Sequence, residues 1–512
     1  LDIDSQFLEV LYENNLISIS DKLNKFHNLN KSKRYWRIVV GPWLRFFIDI
    51  VYDRYETERI NNPHFRKINN LNYEKIFFRE KDFDDFYSKS ITDEWNTNLI
   101  KIISGRKPNY RNSLISKKNS LFRITLINII NFFRSLFNKK ILISDIYISK
   151  LNLLKLFINT GFIPYFPQEI KILKDNNWYK FLDIENINLS KNNKSHFINL
   201  IEKLIEIYIP YIYTDGFKNY RKFAIKSIGQ IPKTAFTCIG YQHNEVFKLI
   251  SAEAVENGGK LIISQHGGNF GIAKHNQMEK HQIKISDKFL TWGWDNNTEN
   301  TIPFFSLQLS SNKLPIYKNS KNPKIINIMA SSPRYFYSFF SLALGPEYKD
   351  YLKKQKDLAD KLKPNITQNI FHRFNGNTFG WSARNELEKY GLKICNSSNN
   401  LNKEIKKYSL CISSYNATVA LQTLSANFPT ILYWPKEIFE IRNECLKDFN
   451  ELASVDIYHD NIISLSEHLN KIYNNIDLWW EDNLTQKKRI LFIEKYAKNK
   501  INWIKEIESE IK

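Results

Sequence analysis

KLIISQHGGNFGIAKHNQMEKHQIKISDKFLTWGW, residues 260–294, places more polar chemistry between two apolar runs than any other part of this 512-residue chain. The first run ends in Gln265-His266-Gly267-Gly268-Asn269. His275, Glu279, His281 and Asp287 follow, and a second run, residues 289–292, closes the unit. This reads as strand, glycine loop, polar segment, strand. In open α/β sheets the loops that leave the carboxyl ends of strands are where ligands bind, because the sheet fixes the loop while its polar atoms face a crevice. The glycine loop therefore reads as one half of a site, and the rest of the chain must supply the other.

Upstream, residues 234–239 read as a strand and residues 244–257 as a helix carrying Glu245, Lys248 and Glu253, stopped by Gly258-Gly259. Earlier still, KILISDIY (140–147) is a strand with Asp145 near its end, followed by a helix over 150–159 and a strand over 162–166. Alternating short apolar runs and helices signal a parallel sheet with crossover helices. Residues 1–138 read as mainly helical and packed on this first lobe. Within them YWRIVVGPWLRFFIDIVYDRYE (35–56) breaks at Gly41-Pro42 and continues as a helix whose polar face is expected to hold Asp49, Asp53 and Arg54. A polar joint is expected at 180–194, then helices over 195–208 and 216–228.

Downstream, SSNKLPIYKNSKNP (310–323) reads as a linker, and a second α/β unit follows. Its strands are expected at 324–330, ending in Ser331-Ser332-Pro333-Arg334; at 365–371, ending in His372-Arg373; at 392–395; at 409–412, ending in Ser413-Ser414-Tyr415-Asn416-Ala417-Thr418; and at 429–434. The terminal stretch reads as one long helix. The division is thus a helical region (1–138), a first lobe (139–315), a second lobe (322–475) and a C-terminal helix (476–512). Two α/β lobes joined by a linker suggest a GT-B-like architecture, with Rossmann-like lobes facing a cleft.

A chain this long exceeds what one hydrophobic core fills. The formal charge of +21 favours anionic partners, although lysines dispersed among Asn and Ile read equally well as a solvated surface. Four cysteines, widely spaced and without a CxxC pair, indicate buried thiols in a reducing cytoplasm. No signal-peptide pattern opens the chain, and no run reaches the ~18 apolar residues of a membrane span. The nearest, SLFRITLINIINFFRSLFN (120–138), carries Arg123 and Arg134 on one helical face. Its expected role is to dock on the protein's own core; a membrane-surface contact is the alternative.

In the second lobe Ser413, Ser414, Tyr415, Asn416, Ala417 and Thr418 lie where a strand turns into a helix, and free N–H groups with the helix dipole bind phosphate at such turns. His372, Arg373 and Arg334 sit at other strand ends and would complete a cationic pocket for a nucleotide's phosphate. Neither GxGxxG nor GxxxxGK[ST] occurs, which disfavours dinucleotide oxidoreduction and P-loop phosphoryl transfer. In the first lobe Gln265, Gly267, Gly268, Asn269 and His281 are candidates for sugar or acceptor contacts. His266, Glu279, Asp287, Asp145, Glu245 and Glu253 are candidates for base or nucleophile. A metal site built from His266, His275, His281, Glu279 and Asp287 matches no ligand spacing, and no metal or cofactor is expected.

QHGGNFG, the run ending FLTWGW, and SSYNATVALQTLSANFPTILYW with Arg442 and Trp479-Trp480 together resemble a family of bacterial transferases of O-antigen and surface-polysaccharide gene clusters; YWRIVVGPWL and VYDRY share the likeness. More remotely the chain is similar to capsule-type β-Kdo glycosyltransferases, GT-B enzymes that use a CMP-activated ulosonic acid. The resemblance implies transfer of a sugar from a nucleotide donor to a lipid-linked glycan, by a protein peripheral to the cytoplasmic face of the inner membrane. It also implies that His372 and Ser413-Ser414 match elements around the donor phosphate. Arg373 stands where several of those enzymes have Pro, a departure that bears on the CMP assignment. Two other readings are a transferase of a nucleotide-activated polyol phosphate and a non-enzymatic binder of anionic surfaces or nucleic acid. The dispersed lysines and the absence of a nucleic-acid motif disfavour the last.

Overall fold

The computed structural model describes residues 2–62, 79–108, 121–137, 140–166, 196–311, 322–374, 379–395 and 401–512. The joint expected at 180–194 and most of the linker expected at 310–323 lie outside these residues; residues 310 and 311 belong to the short helix Leu307–Ser311.

Runs of two to five residues, the central ones apolar enough to be buried on both faces, form two all-parallel sheets, as continuous hydrophobic strands do when helices cover both sides. The first sheet runs in chain order: β1 (Ile141–Ser144), β2 (Thr234–Thr237), β3 (Lys260–Ser264), β4 (Lys288–Thr291) and β5 (Thr301–Pro303). The second comprises β6 (Ile325–Ile328), β7 (Ile370–Arg373), β8 (Lys393–Ile394), β9 (Leu410–Ser413), β10 (Thr430–Tyr433) and β11 (Tyr458–His459), in the order β11-β10-β9-β6-β7-β8. Two expected strands change. Residues 162–166 contribute only a bridge between Tyr165 and Ser144. The run at 365–371 starts as the helical turn Pro364–Thr367, because proline at a helix's first position is preset for helical φ, and the strand itself is Ile370–Arg373. The edge strands β5 and β11, of three and two residues, are too short to leave a periodic signal.

The helices that matter below are α1 (Asp2–His27), α2 (Lys33–Val39), α3 (Gly41–Asn61), α4 (Leu121–Phe137), α5 (Lys150–Thr160), α6 (Phe217–Ile228), α7 (Glu245–Glu256), α8 (Gln277–Ile285), α9 (Glu347–Lys361), α10 (Thr418–Ser425), α11 (Asn483–Tyr496) and α12 (Trp503–Ile511). The N-terminal helices grip both lobes. On the first lobe, the Tyr35 hydroxyl of α2 donates to Glu253 of α7 at 2.9 Å. On the second, the Phe339 amide and the Ser338 hydroxyl donate to Asp49 of α3, each at 3.2 Å. Asp49 is therefore no surface residue: it is wholly buried and ion-paired with Arg45. Arg54 is buried as well, donating to the Phe336 carbonyl at 2.9 Å, with Asp53 as its ion-pair partner.

The C-terminal stretch is three helices, Ile476–Trp480, α11 and α12, rather than one. α11 lies along α10 of the second lobe. α12 crosses back, and Trp503, Ile507 and Ile511 pack with Ile143, Phe236, Ile262 and Leu290 against one face of the first sheet. The four cysteines are free and buried. α4 forms where an amphipathic helix is expected, but with its polar side chains Asn131 and Arg134 turned inward.

Candidate functional site

The loops after β3 and β9 meet. A Cβ on Gly268 would lie 2.7 Å from both N and Cα of Thr418 and 2.8 Å from the Ala417 carbonyl carbon, all backbone, so only glycine allows this approach. The Gly268 amide donates to Thr418 Oγ1 at 3.1 Å. The carboxyl ends of the two sheets thus face each other, with the glycine loop set against the start of α10.

On the second-lobe side a buried polar cluster holds the turn. Ser414 Oγ donates to Asn327 Oδ1 in the middle of the sheet. Asn327 Nδ2 in turn donates to Gln355 of α9 at 2.8 Å and faces His372 Nδ1 at 3.1 Å. With an amide donor on Nδ1, the His372 proton sits on Nε2. Burial pushes the His372 imidazolium down to about 4. The Ser413 hydroxyl donates to the Tyr415 carbonyl at 3.1 Å. Both serines are fully buried, so these expected phosphate contacts are instead spent on the protein itself. Arg334 is engaged elsewhere, ion-paired with Asp93 of the helical region and stacked 5.2 Å from Tyr335. Arg373 is half-buried at the end of β7, and its carbonyl accepts from the Met329 amide at 2.9 Å.

Two features of the turn are left open. Ala417 occupies the N-cap of α10 and supplies no side-chain cap, where Ser, Thr, Asp or Asn would satisfy an amide. Asn416, 1% exposed, has neither its carbonyl oxygen nor its amide nitrogen hydrogen-bonded. Tyr415 flanks it, its phenol pushed up to about 12 by burial.

On the first-lobe side Gln265 is structural. It accepts from the Trp292 amide at 2.9 Å and the Trp294 indole at 2.7 Å, and donates to the Gly267 carbonyl at 2.7 Å, so it latches the WGW turn to the glycine loop instead of facing a sugar. Gly271, at φ +73°, lies flat against the Trp294 ring. Asn269 is half-buried, its carbonyl accepting from Ala273 at 2.8 Å. His266 stands apart. It is ringed by Tyr147, Tyr241 and Phe270, with centroids at 6.0, 6.3 and 5.0 Å. Its Nδ1 has no hydrogen-bond partner, and burial lowers its imidazolium to about 4, leaving a neutral ring at pH 7.

The other candidates separate. Asp287 precedes β4, at the amino edge of the sheet, where it accepts from the Leu261 amide at 2.7 Å and pairs with Arg34. Glu253 pairs with Lys31 and Arg221, and Glu245 is buried against Lys248, Tyr213 and the Phe83 amide. His281 is buried under Gly41, whose Cβ would fall 2.8 Å from its Cε1. These four lie in helix and sheet packing and are not brought to the interlobe contact. Glu279 joins the lobes, accepting from the Gly271 amide at 2.7 Å and pairing with Arg442 at 2.6 Å. Asp145, at φ +51° beyond β1, is the candidate carboxylate that stays half-buried at a strand's carboxyl end, accepting from Asn244 at 2.7 Å. His275 pairs with Asp2, away from the other histidines, and among the described residues no group of three or more His, Cys, Asp or Glu side chains is placed to hold a metal ion. The aromatic ring around His266 escaped sequence reasoning, though Tyr147 and Tyr241 each follow a strand end.

No curated protein matches the chain. Among solved structures it is similar to MurG of Acinetobacter baumannii, at 11% identity over 73% of this chain and 99% of that one, with a TM-score of 0.38. It is also similar to a variant of the wall teichoic acid polymerase TagF, at 11% identity over 77% of this chain and 98% of that one, with a TM-score of 0.30. The match to a protein family is far more extensive, running over residues 1–511, and it places the chain in the LIC12162 family of transferases.

Proposed function

We propose that this transferase moves a sugar from a nucleotide donor, its phosphate held at the start of α10, onto a lipid-linked surface glycan at the cytoplasmic face of the bacterial inner membrane. The observation that carries this reading is Asn416. A buried amide without partners is a standing cost to the fold, and here it lies beside a helix start with no side-chain cap. A phosphate oxygen would accept from Asn416 Nδ2 and from the Val419 amide at the start of α10, with the helix dipole in support and no metal required. The sugar would then project toward the glycine loop, where His266 is the neutral imidazole able to accept a proton or a hydrogen bond, and Asp145 is the nearest candidate carboxylate in role. The family resemblance favours a CMP-linked ulosonic acid such as Kdo as donor.

The test is thermal unfolding against a panel of CMP-, UDP-, GDP- and dTDP-linked sugars. One class should raise the Tm, and Asn416→Ala should abolish that rise while leaving the unliganded Tm unchanged or higher, since it removes an unsatisfied group. A panel without any stabilising nucleotide, or an Asn416→Ala protein that still responds, defeats the proposal.

A further inference from the structure

α4 turns two polar side chains inward. Asn131 and Arg134 are 3% and 2% exposed; Asn131 exchanges two hydrogen bonds with the Phe166 backbone, at 2.9 and 3.0 Å, and Arg134 donates to the Ile228 carbonyl at 2.8 Å. The opposite side carries Leu126, Ile129, Phe132, Phe133 and Leu136, each between 47% and 62% exposed. Spaced three and four residues apart, these make one continuous stripe. Isolated apolar residues on a surface need no explanation, but a helix that buries Asn131 and Arg134 while five large apolar side chains on its other side stand exposed does.

The next helix also exposes large apolar side chains. Leu156 is the one buried side chain of α5, while Leu151, Leu154 and Ile158 are 52–70% exposed. α4 leads into β1 and α5 leads out of it, and the Phe166 that anchors Asn131 follows the Tyr165 bridge to Ser144. Both apolar sides therefore belong to the β1 edge of the first sheet.

The charge around them decides the occupant. α4, α5 and α6 contain no Asp or Glu. α6, which receives Arg134, exposes Lys218, Lys222 and Lys226 along one side, and α5 exposes Lys150 and Lys155. A second copy of this chain would set these lysine rows against each other with no acidic residue between them. A bilayer with anionic headgroups supplies both what the stripe and what the lysines lack. We infer that α4 and α5 seat the protein on an anionic phospholipid surface by inserting their apolar sides, with the α6 lysines on the headgroups. This seating is read from the surface alone and stands whether or not α10 binds a nucleotide.

Co-sedimentation of the full chain with vesicles tests it. Binding should be strong to phosphatidylglycerol–phosphatidylethanolamine vesicles, weak to phosphatidylcholine, and reduced by added salt. Ile129→Ser with Phe132→Ser and Phe133→Ser should weaken it at least tenfold, as should Leu154→Ser with Ile158→Ser. Lys218→Glu with Lys222→Glu and Lys226→Glu should remove the preference for anionic lipid. These side chains are solvent-exposed, so circular dichroism and the Tm should be unchanged in every variant. Wild-type protein that ignores anionic vesicles, serine variants that bind as well as wild type, or a lipid-free dimer that the serine variants dissociate would each overturn the inference.

Discussion

His372 shows how a side chain at a strand end can carry an expected role and lack the freedom for it. Its Nδ1 faces Asn327 at 3.1 Å, and burial pushes its imidazolium down to about 4. The folded state thus holds the ring neutral, whereas the unfolded chain protonates it near 6.5. Between those values the unfolded state binds more protons, so the contribution is whole above about 6.5 and is lost as pH falls toward about 4. His372→Gln, which cannot charge, should therefore gain on the wild type by about 1.4 kcal/mol per pH unit below about 6.5 in chemical denaturation. A constant difference across that window would mean the ring titrates normally in the folded protein. Which residues lie at strand ends was legible, because parallel strands are unbroken apolar runs stopped by polar and glycine residues. Whether Ser414 meets a ligand or Asn327 was not. That depends on the register of β9 against β6, strands separated in sequence by the whole of β7 and β8.

At the scale of elements, α10 is the informative one. Its start was readable as a strand-to-helix turn rich in hydroxyls, but the serines expected to meet phosphate have partners within the protein, Ser414 on Asn327 inside the sheet and Ser413 on the Tyr415 carbonyl of the turn. What remains for a ligand is backbone, which no residue-type signal marks, together with Asn416. An acidic residue at the cap would serve as a built-in anion. Ala417→Asp should raise unfolding stability by about 1 kcal/mol, the usual worth of an N-cap, while blocking any nucleotide-induced rise in Tm. If that variant is more stable and still responds to nucleotide, the ligand lies elsewhere. α4 carries the opposite lesson. Its amphipathic period was plain in the sequence, but periodicity gives two faces without saying which one faces in, and here the Phe166 and Ile228 backbone groups select the polar one.

Across the whole molecule, the lobes are held at a fixed approach by contacts on either side of Gly268. Arg442 pairs with Glu279 at 2.6 Å and donates to the Ala273 carbonyl at 2.8 Å, and the N-terminal helices bind Asp49 to the second lobe from the other flank. Burial raises the Glu279 carboxyl despite Arg442 beside it, so the guanidinium is what makes an ionised Glu279 tolerable there. Arg442→Ala should cost about 3–5 kcal/mol in equilibrium unfolding, and Arg442→Ala combined with Glu279→Gln should recover much of it. Equal losses in the single and double variants would show that the ion pair is not the source. That α12 belongs to the first lobe was hidden from the sequence, since nothing in WIKEIESEI says which of two sheets its apolar side will cover. The crossing sets the order in which the chain can mature. One face of the first sheet is complete only when Trp503, Ile507 and Ile511 arrive, about 200 residues after Pro303 closes that sheet. At ribosomal speed that interval lasts roughly 10–40 s. During it Ile143, Phe236, Ile262 and Leu290 keep only the partial cover of Leu156, Phe162, Phe305 and Leu307, so nascent first lobes stand in need of a chaperone until α12 is made.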